Sequence, residues 1–166
     1  MIHIDFHTPP DLPTNEAQRQ QAVERSGVLQ RRKNPALQRV VDEAADYFQT
    51  PIAAITIVDR DRQWFAVSTG LDAQETPRAV SFCAHAIHRP TEPLVVRDAR
   101  RDPRFAGNPM VIFAPHIRFY AGVPLIDRQG YALGALCVID SKPRTEPPNL
   151  FELSLLAREA ERLIVR

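Results

Sequence analysis

Apolar positions along the chain fall into two kinds of rhythm. After Asn34-Pro35, the residues Leu37, Val40, Val41, Ala44, Ala45 and Phe48 recur at spacings of three and one, a helical stripe. Asn34 is placed to accept the orphan N–H groups of that helix, and Pro35 suits its first position. Thr50-Pro51 ends it. Ala53-Ala54-Ile55-Thr56-Ile57-Val58 is apolar on both alternating sets, as in a strand covered on both faces. The charged turn Asp59-Arg60-Asp61-Arg62 returns the chain into Gln63-Trp64-Phe65-Ala66-Val67-Ser68, which predicts a hairpin. A second hairpin is predicted from residues 118–125 and 131–139, joined by Asp127-Arg128-Gln129-Gly130. A last helix runs from about residue 148 to residue 165, with Leu153, Leu156, Ala157, Ala160, Leu163 and Ile164 on its apolar face.

The remaining segments are weaker. Residues up to Pro13 read as an irregular arm. Thr14 suits the cap of a polar helix reaching Arg25, with Gly27 as its stop. So few apolar residues imply that this helix lies on the surface or pairs with another subunit. Residues 70–78 read as loop, Ser81 opens a short helix through Ile87, and residues 93–96 form a short strand. Residues 98–115 are long and proline-rich, and predict one or two short helices over one face of the sheet. Antiparallel strands with helices on both faces give an α+β domain in three layers. The chain divides into an arm with a polar helix (residues 1–33) and a folded unit (residues 34–166).

Composition narrows the function. With 21 Lys and Arg against 20 Asp and Glu, the net charge is +1, which excludes a polybasic surface for nucleic acid or membranes. No apolar run approaches the roughly 20 residues that span a bilayer. The first residues lack the pattern of a secretory signal, and two cysteines without a CxxC spacing suit reduced thiols in the cytoplasm.

Three stretches resemble the GAF domain family, in the branch found in bacterial signalling proteins. They are residues 59–65 running on to Gly70-Leu71; residues 81–87 followed by Asp98 and by Asp102-Pro103-Arg104-Phe105; and residues 117–125 followed by residues 134–140. The resemblance covers about residues 34–166. It implies a central antiparallel sheet of five or six strands, with the terminal helices on one face. Residues 81–115 would form short lid helices that roof the other face and enclose a pocket. It further implies a sensory or regulatory domain that binds a small molecule, forms a homodimer through its terminal helices or meets a separate signalling protein, and catalyses nothing itself. Alternatives are a ligand-free domain used for docking, and thiol redox chemistry at Cys83.

Candidate ligand-binding residues are Trp64, Phe65, Ser81, Phe82, Cys83, His85, Asp98, Phe105, Arg118 and Tyr120, the aromatic ones because such sites are mostly apolar with few polar groups. Phe113 and Phe119 belong to the same aromatic set. Cys83 and His85 sit two apart on a short helix, a spacing that fits no zinc pattern and suits a buried thiol beside a histidine with a polar partner. Cys137 reads as a core-strand residue. Arg118, opening an apolar strand, is expected to bond Asp98 or Asp102 and tie the roof to the sheet, with ligand contact as the alternative. The run Arg97, Asp98, Arg100, Arg101, Asp102, Arg104 reads as a solvated face of paired charges or as a source of one anion-binding arginine. No cofactor and no metal is named by these residues.

Overall fold

The computed structural model describes residues 7–164. Residues 1–6 of the arm and the expected last residue of the final helix, Val165, lie outside that range. In chain order the elements are α1 (Glu16–Ser26), α2 (Pro35–Phe48), β1 (Ile52–Asp59), β2 (Arg62–Thr69), β3 (Glu75–Pro77), α3 (Phe82–Ala86), β4 (Leu94–Val96), α4 (Pro109–Ile112), β5 (Phe119–Ile126), β6 (Ala132–Asp140) and α5 (Leu150–Ile164). Short 3-10 turns occupy Val28–Gln30, Arg78–Val80 and Ala99–Arg101.

All six strands join one antiparallel sheet in the order β3-β2-β1-β6-β5-β4. The expected strand count and α+β architecture hold, and residues 70–78 are not wholly loop. Glu75–Pro77 pairs with Arg62, Gln63 and Trp64 as an edge strand. Three residues with a terminal proline carry too little alternation to register as a strand.

Alternation assigns the two faces. Ala53, Ile55 and Ile57 of β1 with Phe119, Ala121, Val123 and Leu125 of β5 meet α2 and α5 in the larger core. Ile52, Ala54 and Val58 with Tyr120, Ala135, Cys137 and Ile139 face the roof instead. A bulge in the β1–β2 ladder leaves Ala66 without an opposite residue, so Trp64, Ala66 and Val67 all reach the helical core. Gly134 permits the central strands to approach, since a Cβ there would lie 1.8 Å from the Thr56 carbonyl oxygen.

Asn34 caps α2 as expected, accepting from the N–H groups of Ala36 and Leu37. Replacing it with alanine should cost about 1 kcal/mol in urea unfolding. Thr14 does not cap α1: Asn15 holds that position and no side chain caps the helix. Gly27 stops α1 with a φ of 68°.

The polar helix is neither a free surface element nor held only by another copy. Ala22 and Val23 are buried, and Arg19 is 1% exposed. Arg19 donates through Nε and Nη2 to the Glu16 carboxylate and through Nη1 to the carbonyls of Ala132 and Leu133 on β6. Arg78 grips the same carboxylate at 2.6 Å and the Arg60 carbonyl at 2.7 Å. Gln20 donates to Asp59 and accepts from the Arg60 N–H, so α1 also clamps the β1–β2 turn. Polar residues therefore dock this helix, which is why its apolar pattern is faint.

Candidate functional site

The roof over the second face begins at Ser81. Its hydroxyl accepts from the Ala84 N–H to cap α3 and donates to Gln63 Oε1 at 2.5 Å. Gln63 donates in turn to Thr76 on β3. Asn108 caps α4 and donates to the Val80 carbonyl, tying the two ends of the roof together. Arg118 donates to the carbonyls of Val111 and Ile117, bracing the return of the roof into β5. Phe82 stacks on Phe105 at 4.0 Å between ring centroids, and Tyr120 lies 5.2 Å from Phe82.

Beneath these groups is an enclosed chamber lined by Thr56, Phe65, Phe82, Met110, Ile117 and Tyr120, with both cysteines and further aliphatic side chains. Its volume is about 20 Å³. That accommodates one water-sized molecule, far below the roughly 300–1,000 Å³ of pockets for drug-sized ligands. The lining carries no Asp, Glu, Lys, Arg or His.

The chamber's polar groups form one cluster. The Tyr120 hydroxyl donates to Cys83 Sγ at 3.1 Å. Complete burial pushes the Cys83 thiol up, but hydrogen bonds from Cys137, Thr56 and Tyr120 outweigh it and leave the thiol below its ordinary value. The Cys137 thiol moves up, through its hydrogen bond to Cys83, burial and the neighbouring charge. Tyr120 is raised by burial and by the two thiols. Sequence reading placed Cys137 in the core of a strand; its approach to Cys83 depends on the roof folding over the sheet, which no spacing announces.

The ten expected ligand residues separate. Phe65, Phe82, Cys83 and Tyr120 line the chamber. Trp64 does not: it is one residue out of phase with Phe65 and lies in the core on the helical side of the sheet. Phe105 supports the chamber from behind Phe82 and is fully buried. Ser81 caps α3 rather than lining the chamber. His85 points outward, with Nε2 3.0 Å from the Thr8 carbonyl, and burial lowers its pKa. Asp98 caps the 99–101 turn and pairs with Arg100, while Asp102 pairs with Arg104. Arg118 therefore bonds neither aspartate; both are already engaged by arginines two residues on. Phe113 is exposed and Phe119 lies in the helical core. Chamber residues not anticipated are Ile52, Thr56, Gln63, Leu71, Val80, Met110, Pro115, Ile117, Cys137 and Ile139, most of them aliphatic and without a chemical signature in sequence.

Among the described residues no group of three or more His, Cys, Asp or Glu is placed to hold a metal ion. No helix among them is long and apolar enough to cross a membrane.

The family model for the GAF domain matches residues 34–164. A cyclic di-GMP phosphodiesterase of Pseudomonas aeruginosa is 49% identical over 137 residues, covering 82% of this chain and 23% of that protein. The chain thus spans about a quarter of the length of that relative. Free methionine-R-sulfoxide reductase of Neisseria meningitidis superposes with a TM-score of 0.63 at 18% identity, over 88% of this chain and 83% of that one. The GAF domain of an Acinetobacter phosphoenolpyruvate-protein phosphotransferase gives 0.60 at 18% identity, over 89% and 91%. At these identities the likeness is one of fold.

Proposed function

The chain belongs to the GAF domain family, and on that premise we propose that it is a regulatory module of a bacterial signalling protein that acts through its helical layer. The supporting observation is an apolar patch where α2 and α5 meet. Tyr47, Phe151 and Leu155 are exposed there, Phe151 at 73%, and Asn149 donates to the Tyr47 hydroxyl. Elsewhere α5 buries Leu153, Leu156, Ala157, Ala160 and Ile164, so the exposed side chains are available to a second copy of the chain or to a separate signalling protein. The homodimer is the reading we adopt, because a helical patch of this kind packs readily on itself about a twofold axis. Through the Pseudomonas aeruginosa relative, turnover of cyclic di-GMP in the cytoplasm is the process we assign it to regulate, with the catalysis outside the matched region.

The patch is tested by light scattering at micromolar concentration. A dimer that F151K together with L155K converts to monomer is expected; a wild-type monomer across that range overturns the self-association reading.

The chamber determines what the module senses. In this closed form it suits one water-sized molecule, and a larger ligand requires the roof to move. Nucleotides and amino-acid derivatives at millimolar concentration should leave the melting temperature unchanged. A rise of several degrees with one of them would show that the roof opens for it.

A further inference from the structure

We propose that Cys83 and Cys137 form a peroxide-reactive dithiol, in which hydrogen peroxide enters the chamber and is reduced as the two residues become a disulfide between roof and sheet. The proposal rests on the reading that the closed chamber admits only the smallest molecules.

Three features of the structure support it. First, the two thiols come from facing elements, Cys83 from α3 and Cys137 from the middle of β6, and both line the same enclosed space. Second, Cys83 is surrounded by groups that can steady a thiolate. Tyr120 from β5 donates to its sulfur at 3.1 Å, and Thr56 from β1 lines the same space. Third, the backbone is arranged around this contact. Gly122 lies opposite Cys137 in the β5–β6 ladder, and a Cβ on it would lie 2.1 Å from the Tyr120 hydroxyl. The missing side chain is what lets the phenol lie along its own strand and reach Cys83.

The groups differ in the way that a nucleophile and a resolving thiol require. Cys83 is the more acidic of the two and Cys137 keeps its proton. Cys83 sulfur attacks one peroxide oxygen and the O–O bond breaks. The departing oxygen takes the Cys83 proton and leaves as water, and Cys83 becomes a sulfenic acid. Cys137 sulfur then attacks the Cys83 sulfur, the S–O bond breaks, and the hydroxyl leaves with the Cys137 proton as a second water. Two thiols and one peroxide give one disulfide and two waters, with both electrons coming from sulfur. Peroxide is little larger than the one water-sized molecule that the chamber accommodates, while the apolar lining disfavours charged oxidants.

The experiment treats the reduced full chain with one equivalent of hydrogen peroxide and follows intact mass, free thiols under denaturing conditions and the peptide map. The expected product is a monomeric chain lighter by two hydrogens, with no free thiol and a Cys83–Cys137 peptide link. C137S should instead stop at a sulfenic acid that a dimedone-type probe captures on Cys83, and C83S should be inert. Y120F should still form the disulfide, about tenfold more slowly, and with its rate-against-pH profile moved to higher pH, a displacement that loss of packing alone would not produce. Unmodified thiols, or disulfides only between chains, overturn the proposal. A bulky organic hydroperoxide separates the two readings. If it reacts as fast as hydrogen peroxide, the small-chamber reading fails and the dithiol stands; if neither reacts, the dithiol fails and the chamber reading is untouched.

Discussion

Truncating Trp64 to alanine should lower the free energy of unfolding by about 3–5 kcal/mol. Trp64 is 2% exposed and is among the largest wholly enclosed side chains, packed in the core between the sheet and the helical layer. Its removal leaves a void that flanking strands cannot close, because β1 on one side and β3 on the other fix β2 by backbone hydrogen bonds. The void opens on the helical side, so the chamber across the sheet and the reactivity of Cys83 should be unchanged. Urea unfolding followed by circular dichroism reads the loss, since Trp64 is the one tryptophan in the chain and its fluorescence disappears with it. A loss below about 1.5 kcal/mol would mean that the indole is not enclosed as described.

The second large effect is expected from Glu16→Gln. Removing one partner of a buried ion pair typically costs about 3–5 kcal/mol, because the other charge stays behind unpaired. Here one carboxylate serves two enclosed guanidinium groups, Arg19 and Arg78, whose side chains are 1% and 7% exposed. Glu16 itself is 20% exposed, so solvent screening brings the expected loss to about 2–3 kcal/mol. The pH dependence supplies an independent check. Burial raises the Glu16 pKa, but hydrogen bonds from Arg19 and Arg78 and their charges overcome this and lower it from 4.5 to about 2. A carboxylate held below its unfolded value stabilises the fold above that value and loses the contribution as pH falls through the folded one. The gap between wild type and E16Q should therefore be full above pH 4.5 and close towards pH 2. A gap that stays constant over that interval would show that Glu16 does not hold the arginines through its charge.

The two predictions mark the boundary between the legible and the illegible parts of this chain. The long hairpins and α2 and α5 were readable because their apolar periodicity spans eight or more residues, and because Asn34-Pro35 and Asp127-Arg128-Gln129-Gly130 carry their own local instructions. The GAF motifs added a single central sheet of five or six strands and the presence of a roof, while the strand order came from the structure. Which residues line the chamber was read less well, and the clearest case lies in β2. Trp64 and Phe65 are neighbours of similar character, and only the register of β2, shifted by the bulge at Ala66, decides which faces the chamber.

Sequence by itself determined the long elements, though not β3, together with the antiparallel hairpins of an α+β domain and the family, since each depends on periodicity or on local motifs. Tertiary structure alone decided that α1 docks through Arg19, that Arg118 braces carbonyls rather than aspartates, that the chamber is nearly filled, and that Cys83 meets Cys137. The docking of α1 depends on contacts between residues 40 to more than 100 positions apart, the Arg118 bonds on how residues 111–117 turn back into β5, and the chamber on volumes summed over many side chains. Packing in three dimensions fixes such quantities, and no stretch of chain encodes them locally.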